Sequence, residues 1–389
     1  MAAADAAGAA HRSIERLRRW LLDDAYPRWT RCALDRVHGG FHESIAWRGP
    51  NPDEPRRARV QLRQLYSFAQ APALGWRDDT TALVVDGLRY FMRHYRRPDG
   101  LYRTLVAPGG APIDERALLY DQAFVLLALA ACERTAGLGP ETLAAARALR
   151  GTLHRRLGDA QGGFRSALPD EPLRLSNPHM HLLEAAIAWA AQSDDPEWPA
   201  LADAVVALLL ERLMDPARGV VREYFDAEWR PAEGLQGRVV EPGHMFEWAS
   251  LLLAWSDHAA TGTGAGGAAR RLAAVAEAGG VHGGIVVDAL LDDLGVHESS
   301  ARLWPQTERL KAAVAMACAG GDPAWWLRAA EAVRAIERYF TPDLPGLWYD
   351  QLSADGQRRP HGVTSASTLY HLVGAVASIT VVAPAARDA

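Results

Sequence analysis

Basic side chains that can move protons or stabilise negative charge recur near the start of alternate apolar segments of this 389-residue chain. The four that matter most are Arg63, His181, His244 and His371. A charged or imidazole group in a buried helix is costly unless it is paired, so four such groups in a core would be destabilising. We therefore interpret them as the lining of one polar pocket.

Proton transfer next to a carbonyl is the chemistry that several histidines and one arginine would perform without an evident cofactor. A histidine can take a carbon-bound proton and return it near neutral pH, provided that the resulting enolate is stabilised. A fixed guanidinium at Arg63, aimed at the developing oxyanion, would contribute roughly 3–4 kcal/mol. On a sugar, this chemistry gives a cis-enediolate between C1 and C2.

Further polar residues accompany these four, and each has a structural explanation when it is considered alone. Asp121 could cap or pair near a helix start, where negative charge is favoured. Glu184 follows a histidine by three residues and could satisfy donors in the core. Arg59 could be one of several solvated arginines, and His179 could cap its helix.

Two other kinds of site would use the same residues. A metal could be held by the two histidines of "NPHMHLLEA" together with His244 and a carboxylate, but residues i and i+2 diverge on a helix and no Cys or H-x-x-x-H partner is present. A glycoside hydrolase would use two of Asp121, Glu247 and Glu308 as acid and base, yet each lies beside a cation or histidine expected to keep it ionised. Trp304 could stack on a sugar or pack the core. We expect no metal and no other cofactor.

A glycine followed by two or three strand-type residues recurs along the chain and organises the elements that must position these side chains. The copies begin at Gly40, Gly100, Gly163, Gly219, Gly284 and Gly346. Between them the apolar periodicity is helical and predicts about twelve helices, which begin near residues 10, 57, 80, 115, 140, 178, 197, 241, 267, 303, 323 and 364. Each short strand lies in the long connection from an odd helix to the next even helix, so the long loops share one face.

The even and odd helices differ in their apolar surface. Even helices such as "LYDQAFVLLALAAC" are apolar nearly all round, whereas odd ones such as "IERLRRWLLDD" keep a charged face. We predict an all-α (α/α)6 barrel over residues 1–389, a single catalytic domain of twelve helices with short β-hairpin segments in the long loops on one face. The alternative is an open solenoid of the same hairpins. The candidate residues lie on even helices, mostly near their first turns, and therefore at the long-loop mouth.

Composition restricts partners and location. A net charge of −5 provides no basic field for nucleic acid. The longest uncharged apolar stretch, residues 372–386, is too short to cross a bilayer, and the first residues lack the basic region of a signal peptide. Three distant cysteines suit a reducing cytosol. We expect a cytoplasmic monomer or homodimer with no nucleic-acid or membrane partner. Schiff-base chemistry would depend on Lys311, the only lysine.

At these residues the chain resembles the N-acylglucosamine 2-epimerase family, whose members are (α/α)6 barrels that interconvert aldoses with ketoses or with their C2 epimers. The resemblance covers nearly the full chain and rests on "RVQLRQLYSFA", "LYDQAF", "NPHMHLLEA", "EPGHMFEWASLL", "WPQTERLKA" and "LYHLVGA". Its proportions are most similar to the cofactor-independent mannose isomerase and sulfoquinovose isomerase branch. Cellobiose 2-epimerases and N-acylglucosamine epimerases are less similar.

The resemblance implies a role for each matching residue. His371 would remove the C2 proton, and His244 would be the second acid/base, with Glu247 orienting His244 and raising its basicity. His181 and Arg63 would hold the O1 and O2 oxygens and the enediolate charge, and Glu308 and Trp304 would shape the sugar site. We predict a substrate-binding set of five residues in all. That set is His181, Glu308, Trp304, Asp121 and Arg59.

The position to which the proton returns distinguishes isomerisation from epimerisation. Delivery to C1 from the same face needs one mobile base, whereas delivery to C2 from the opposite face needs two bases. Two histidines permit both outcomes. We predict an aldose–ketose isomerase that converts free D-mannose to D-fructose, with sugar 2-epimerisation as the alternative.

Overall fold

The computed structural model describes residues 2–47, 49–256, 264–320, 322–359 and 362–382. In this part of the chain, none of the helices is both long and apolar enough to span a membrane. The helices follow one another in twelve segments, α1 to α12. A π-turn (Leu21–Ala25) and a further helix (Tyr26–Cys32) extend α1, and a π-turn (Leu209–Leu213) extends α7. A 3-10 turn (Ala366–Thr368) precedes α12. Their bounds are α1 Ala2–Trp20, α2 Ala58–Gln70, α3 Thr81–Tyr95, α4 Leu119–Ala136, α5 Pro140–Leu157, α6 Ser176–Ala190, α7 Glu197–Leu208, α8 Pro242–Ser256, α9 Ala265–Gly280, α10 Leu303–Cys318, α11 Ala324–Glu337 and α12 Leu369–Val382.

The even helices form a closed inner ring. Each packs against the next even helix, and α12 packs against α2. In the outer layer α1 packs against α11, and a short antiparallel pairing between residues 44–46 and 363–365 joins the first and last repeats. Helix α4 is buried from Leu119 to Cys132 except at Tyr120, as an inner helix must be. The predicted (α/α)6 barrel is therefore confirmed, and the open solenoid is wrong.

Short strands lie in every connection from an odd helix to the next even helix, as predicted. They pair antiparallel in twos and threes and cover one end of the barrel. Their bounds are β1 Ser44–Ala46, β2 Gly49–Pro50, β3 Arg56–Arg57, β4 Leu105–Val106, β5 Pro112–Asp114, β6 Ala117–Leu118, β7 Ala167–Leu168, β8 Arg174–Leu175, β9 Met214–Asp215, β10 Val220–Val221, β11 Tyr224–Phe225, β12 Val239–Val240, β13 Val281–His282, β14 Ile285–Val286, β15 Ala289–Leu291, β16 Val296–Glu298, β17 Ala301–Arg302, β18 Gln351–Leu352 and β19 Val363–Ser365.

The helix starts agree with the sequence prediction to within about four residues except at the two ends of the chain. Helix α1 begins at Ala2 rather than near residue 10, because the alanine-rich start of the chain has the highest helix propensity. Helix α12 begins at Leu369 rather than near residue 364, since the 3-10 turn at Ala366–Thr368 precedes it. The remaining ten segments were predicted from periodicity alone.

A side chain at the fourth position of an inner helix anchors each of several glycine-led segments. Gln61 of α2 donates to the carbonyl of Phe41 and accepts from its amide, both at 2.7 Å. Gln122 and Gln306 make the same pair of bonds in their own repeats. Because these bonds satisfy buried backbone groups, they fix the register between the strands at the mouth and the inner helices.

His179 occupies this fourth position in α6 and replaces the glutamine. Its Nε2 accepts from the amide of Phe164 at 3.0 Å, and its Nδ1 bonds the carbonyl of Leu175 at 2.9 Å. Burial lowers the pKa of His179 to about 4, so the ring is neutral. The structural interpretation of His179 is therefore correct, although the residue anchors a neighbouring segment rather than capping the helix.

Candidate active site

A cavity of about 360 Å³ opens at the end of the barrel where the long loops gather. A second depression, of about 610 Å³, lies on the outside between α5 and the α6–α7 connection, and its lining contains no histidine. The cavity at the mouth is lined by Arg57, Arg59, Arg63, Tyr120, Asn177, His181, Glu241, His244, Glu247, Arg302, Trp304, Asp350, Ser365, Ser367, Thr368 and His371.

Equivalent positions of the six inner helices supply much of this lining. The second residues of five of these helices line the cavity, when α12 is counted from its 3-10 turn: Arg59, Tyr120, Asn177, Trp304 and Ser367. The sixth residues of the inner helices are Arg63, Phe124, His181, Glu247, Glu308 and His371. Closing the ring turns the same face of every inner helix toward the barrel axis, which brings residues far apart in sequence together.

His371 is held by a carboxylate behind it. Its Nδ1 lies 2.8 Å from Oε1 of Glu308. Burial lowers the pKa of His371 to about 3 against the effect of Glu308, and the nearby charges of Arg63 and Lys311 lower it further. Although burial opposes it, Lys311 brings the pKa of Glu308 down to about 2, so the carboxylate is an acceptor. The Nδ1 of His371 therefore carries the proton, and its Nε2 lone pair is available as a base.

His244 has the opposite protonation state. Its Nδ1 lies 3.0 Å from Oε1 of Glu223 and 3.9 Å from Oε2 of Glu241. Burial alone would lower the pKa of His244, but these two glutamates outweigh it and raise the pKa to about 9. His244 is therefore an imidazolium near neutral pH and a candidate general acid. The prediction that Glu247 orients His244 is wrong, because Glu223 holds that nitrogen.

Sequence reasoning missed Glu223. It lies in the segment that follows Gly219, and it also holds α6, since its main-chain carbonyl and Oε2 accept from the amide and hydroxyl of Ser176 at 3.2 and 3.1 Å. A signal was present in the sequence, because four of the six glycine-led segments carry an acid at this same place before the inner helix. These acids are Glu43, Glu223, Asp288 and Asp350.

Arg63 is fixed by two hydroxyl groups of neighbouring helices. Its Nη2 donates to Oη of Tyr120 at 2.6 Å, and its Nη1 donates to Oγ of Ser367. The guanidinium carbon also lies 4.6 Å from the ring centre of Phe124 and 5.1 Å from that of Tyr370. These contacts restrict the side chain, so Arg63 presents a fixed positive charge to the cavity.

His181 is neutral and is held by a carboxylate one turn later in α6. Its Nδ1 lies 3.1 Å from Oε2 of Glu184, which also accepts from Oη of Tyr370 at 2.5 Å. Burial lowers the pKa of His181 to about 4 although Glu184 opposes this. Glu184 therefore satisfies core donors, as its structural interpretation predicts. One ligand-type atom from each of His181, Glu184 and Glu247 lies within 4.8 Å of the others, which would suit a cation. The ammonium of Lys311, 4.0 Å from Glu247 Oε1, already supplies positive charge there.

The ionisation predicted for Glu247 is wrong, whereas that of Asp121 is only weakened. Burial and the neighbouring Glu308 raise the pKa of Glu247 to about 8 despite Lys311, and burial raises the pKa of Asp121 to about 6 despite Arg59. Desolvation therefore outweighs the cations that the sequence placed beside both groups. Glu308 is ionised near neutral pH as predicted, and Asp121, with a pKa of about 6, is largely ionised there too.

The structure separates the predicted substrate-binding residues into two groups. Arg59 and Trp304 line the cavity with His181, and the Trp304 ring lies between the histidines, with its centre 4.9 Å from that of His244 and 5.5 Å from that of His371. Asp121 and Glu308 do not line the cavity. Asp121 is fully buried, with Oδ1 3.9 Å from Nη1 of Arg59, and Glu308 lies behind His371, whose Nδ1 it contacts. Their assignment to substrate binding is therefore corrected.

Comparisons with known proteins agree with the fold and show the family. Residues 39–375 match the model of the N-acylglucosamine 2-epimerase family. The chain is 40% identical over 379 residues to a mannose-6-phosphate isomerase of Rhizobium meliloti (strain 1021), covering 94% of this chain and 96% of the relative. It is 28% identical to a D-mannose isomerase of Thermobifida fusca over 94% and 93% of the two chains. The solved structure of cellobiose 2-epimerase from Spirochaeta thermophila DSM 6192 superposes with a TM-score of 0.86 at 20% identity, covering 95% of this chain and 96% of that one.

The fold and these similarities define the class: an (α/α)6-barrel enzyme of the sugar isomerase and epimerase type. Within this class, the chain belongs to the N-acylglucosamine 2-epimerase family. The resemblance predicted from the six sequence motifs is therefore confirmed.

Proposed function

We propose that this protein is an aldose–ketose isomerase that converts D-mannose to D-fructose through a cis-enediolate, by histidine acid/base catalysis without a cofactor. One observation carries the proposal. Two histidines, His371 and His244, line one cavity on either side of Trp304, each held at Nδ1 by a carboxylate, one neutral and the other cationic. Environments that drive the pKa values of two like groups apart separate a base from an acid.

Ring opening and removal of the C2 proton form the first half of the reaction. The imidazolium of His244 donates a proton to the ring oxygen, and the neutral His244 then takes the proton of the anomeric hydroxyl as the C1 carbonyl forms. His371 Nε2 then takes the proton from C2, and the electron pair moves to give the C1–C2 double bond with negative charge on O1. Arg63 and the neutral His181 are placed to stabilise that charge.

Return of the proton to C1 completes the isomerisation. The proton of the O2 hydroxyl passes to O1, which becomes the C1 hydroxyl, and the protonated His371 delivers its proton to C1 as O2 becomes the ketone oxygen. The same base serves both steps, so one face of the enediolate is sufficient. The names of two relatives, a mannose-6-phosphate isomerase and a D-mannose isomerase, support this outcome over return to C2. Delivery to C2 from the opposite face would make the protein a 2-epimerase.

Incubation with D-mannose in D₂O, followed by NMR and sugar chromatography, tests the proposal. We expect fructose as the product, with solvent deuterium incorporated at C1. Glucose as the main product would show epimerisation instead. Parallel incubations with mannose 6-phosphate, cellobiose and N-acetylglucosamine compare the substrate classes of the family, and turnover of one of these without turnover of mannose would overturn the proposed substrate.

His371→Asn and its matched control test the catalytic assignment. We expect a loss of at least 10²-fold in kcat because the base is removed. The control is His179→Gln, since glutamine makes the same backbone bonds at this position in three other repeats. It should retain both fold and turnover. Equal losses in both variants would contradict the role of His371.

A further inference from the structure

The single lysine of the chain lies deep on the barrel axis, beneath the cavity. Lys311 is the ninth residue of α10, one turn after Glu308, and its side chain is 10% exposed. It is not part of the cavity lining. The chain has 42 lysines and arginines together, so a lone lysine at this place calls for a specific explanation.

A carboxylate connects Lys311 to the base. Nζ of Lys311 lies 2.7 Å from Oε2 of Glu308, and the other oxygen of the same carboxylate, Oε1, lies 2.8 Å from Nδ1 of His371. All three side chains are at least nine-tenths buried. The three groups therefore form a buried line that runs from the ammonium of Lys311 through the carboxylate of Glu308 to His371, the proposed base, at the cavity.

The titratable and charged groups in and around this line of three side chains come from every inner helix. They are Arg63 and Tyr66 of α2, Tyr120 of α4, His181 and Glu184 of α6, His244 and Glu247 of α8, Glu308 of α10, and Tyr370 and His371 of α12. Glu184 and Glu308 are anions, because Lys311 and the histidines lower their pKa values against burial. Glu247 is protonated, because burial and Glu308 raise its pKa. His244 is paired with Glu223. Lys311 and Arg63 therefore balance the two anions on the axis.

We propose that Lys311 is a positioning residue for catalysis, whose ammonium keeps Glu308 an anion and thereby holds His371 as the Nδ1–H tautomer with a free Nε2. This inference rests on the proposed function only in taking His371 as the base. Without the cation, a buried anion beside a buried imidazole would capture a proton on one or the other group. Protonated Glu308 would no longer require an Nδ1–H partner, and protonated His371 would no longer be a base.

Two other roles for Lys311 fit the contacts less well. A Schiff-base nucleophile needs a neutral amine that reaches the substrate, but the neighbouring glutamates raise the pKa of Lys311 against burial, and its amine is paired beneath the cavity. A core residue that only fills space would not place its ammonium against the carboxylate that holds the base. An apolar side chain of similar length would fill the same volume.

The pH dependence of kcat separates a positioning role from a structural one. For Lys311→Met, we expect the acid limb to move up by about one pH unit or more, because a nearby opposite charge shifts a pKa by about that amount. The KM should change little, since the residue does not touch the cavity. Lys311→Arg keeps the charge and should restore the position of the limb. An unchanged acid limb in Lys311→Met would overturn the proposal.

Nitrogen-15 NMR of the histidine side chains gives a second readout that needs no turnover. In the full-length protein we expect His371, assigned by its loss in His371→Asn, to be a neutral Nδ1–H ring from about pH 5 to 8. In Lys311→Met the ring should mix tautomers within that range and take up a proton at a higher pH than in the wild-type protein. If Lys311→Met does not fold, Lys311→Gln, which keeps a donor but no charge, takes its place with the same expectations.

The two readouts distinguish failure of this inference from failure of the proposed function. A protein that turns over no aldose, yet shows the tautomer change on loss of Lys311, refutes the proposed isomerase while the positioning role stands. An active protein whose His371 signals and acid limb are the same with and without the lysine charge refutes the positioning role alone.

Discussion

Glu223→Gln should move the alkaline limb of catalysis without changing the shape of the site. In the wild-type protein, Glu223 and Glu241 raise the pKa of His244 from 6.5 to about 9 against burial. Glutamine keeps an oxygen within reach of Nδ1 but has no charge, and the second glutamate is farther away, at 3.9 Å. The pKa of His244 should therefore fall to its ordinary value of 6.5 or below.

The size of the effect follows from the protonated fraction of His244. With a pKa of about 9, roughly 90% of the imidazole is protonated at pH 8, whereas a pKa of about 6.5 leaves roughly 3%. If the imidazolium is the acid, kcat/KM at pH 8 should fall about 30-fold, and the loss should be small near pH 5.5. The sign is fixed, since a group that loses its anionic partner gives up its proton at lower pH.

The assay is the mannose isomerase rate from pH 5 to 10, measured for wild type, Glu223→Gln and a control. Asp288→Asn is matched, because it removes a carboxylate at the same position of another repeat that bonds Arg302 and not a histidine. Its alkaline limb should remain near the wild-type position. A Glu223→Gln profile parallel to wild type, or a loss equal at pH 5.5 and 8, would refute the assignment of His244 as the acid.

Three further predictions concern the charge, metal and stability of the site. Arg63→Ala should lower kcat by about 10²–10³ with a smaller change in KM, because its guanidinium acts on the charge of the transition state; a change confined to KM would contradict this. Exhaustive chelation should leave the rate unchanged, since Lys311 and Arg63 supply the positive charge near the acidic groups, and loss of activity that one metal restores would contradict it. Gln306→Ala should lower the free energy of unfolding by about 1–3 kcal/mol, because it removes the side-chain partners of the amide and carbonyl of Val286. Urea denaturation measures this change, and His179→Gln should lower the free energy of unfolding by less.

Much of the fold could be predicted because it depends on local pattern. The six glycine-led segments and the alternation of nearly all-apolar and amphipathic helices indicate hairpins whose even members are buried on every side. This pattern also places Arg63, His181 and His371 on the inward face, since each is the sixth residue of its helix when α12 is counted from its 3-10 turn. Closure of the ring was an inference from burial, and the packing of α12 against α2 confirms it.

The partners of the site residues could not be predicted in the same way. Glu247 is one turn from His244 in sequence, yet Glu223, from a loop of the preceding connection, makes the bond. Periodicity assigns a residue to a helix face but does not tell which loop side chain reaches it. Four of the six glycine-led segments carry an acid three or four residues after the glycine, and this repeated acid is the sequence signal that indicates Glu223.

The amino-acid sequence predicts the helices, their division into an inner and an outer layer, and the set of ionisable residues at the mouth, because these follow from short-range periodicity and residue type. Only the tertiary structure decided which histidine is neutral and which is charged. A pKa depends on burial and on the charges within a few ångströms, and those charges come from other repeats. Glu308, with Lys311 beside it on α10, meets His371, and Glu223 meets His244, only once the barrel has closed around them.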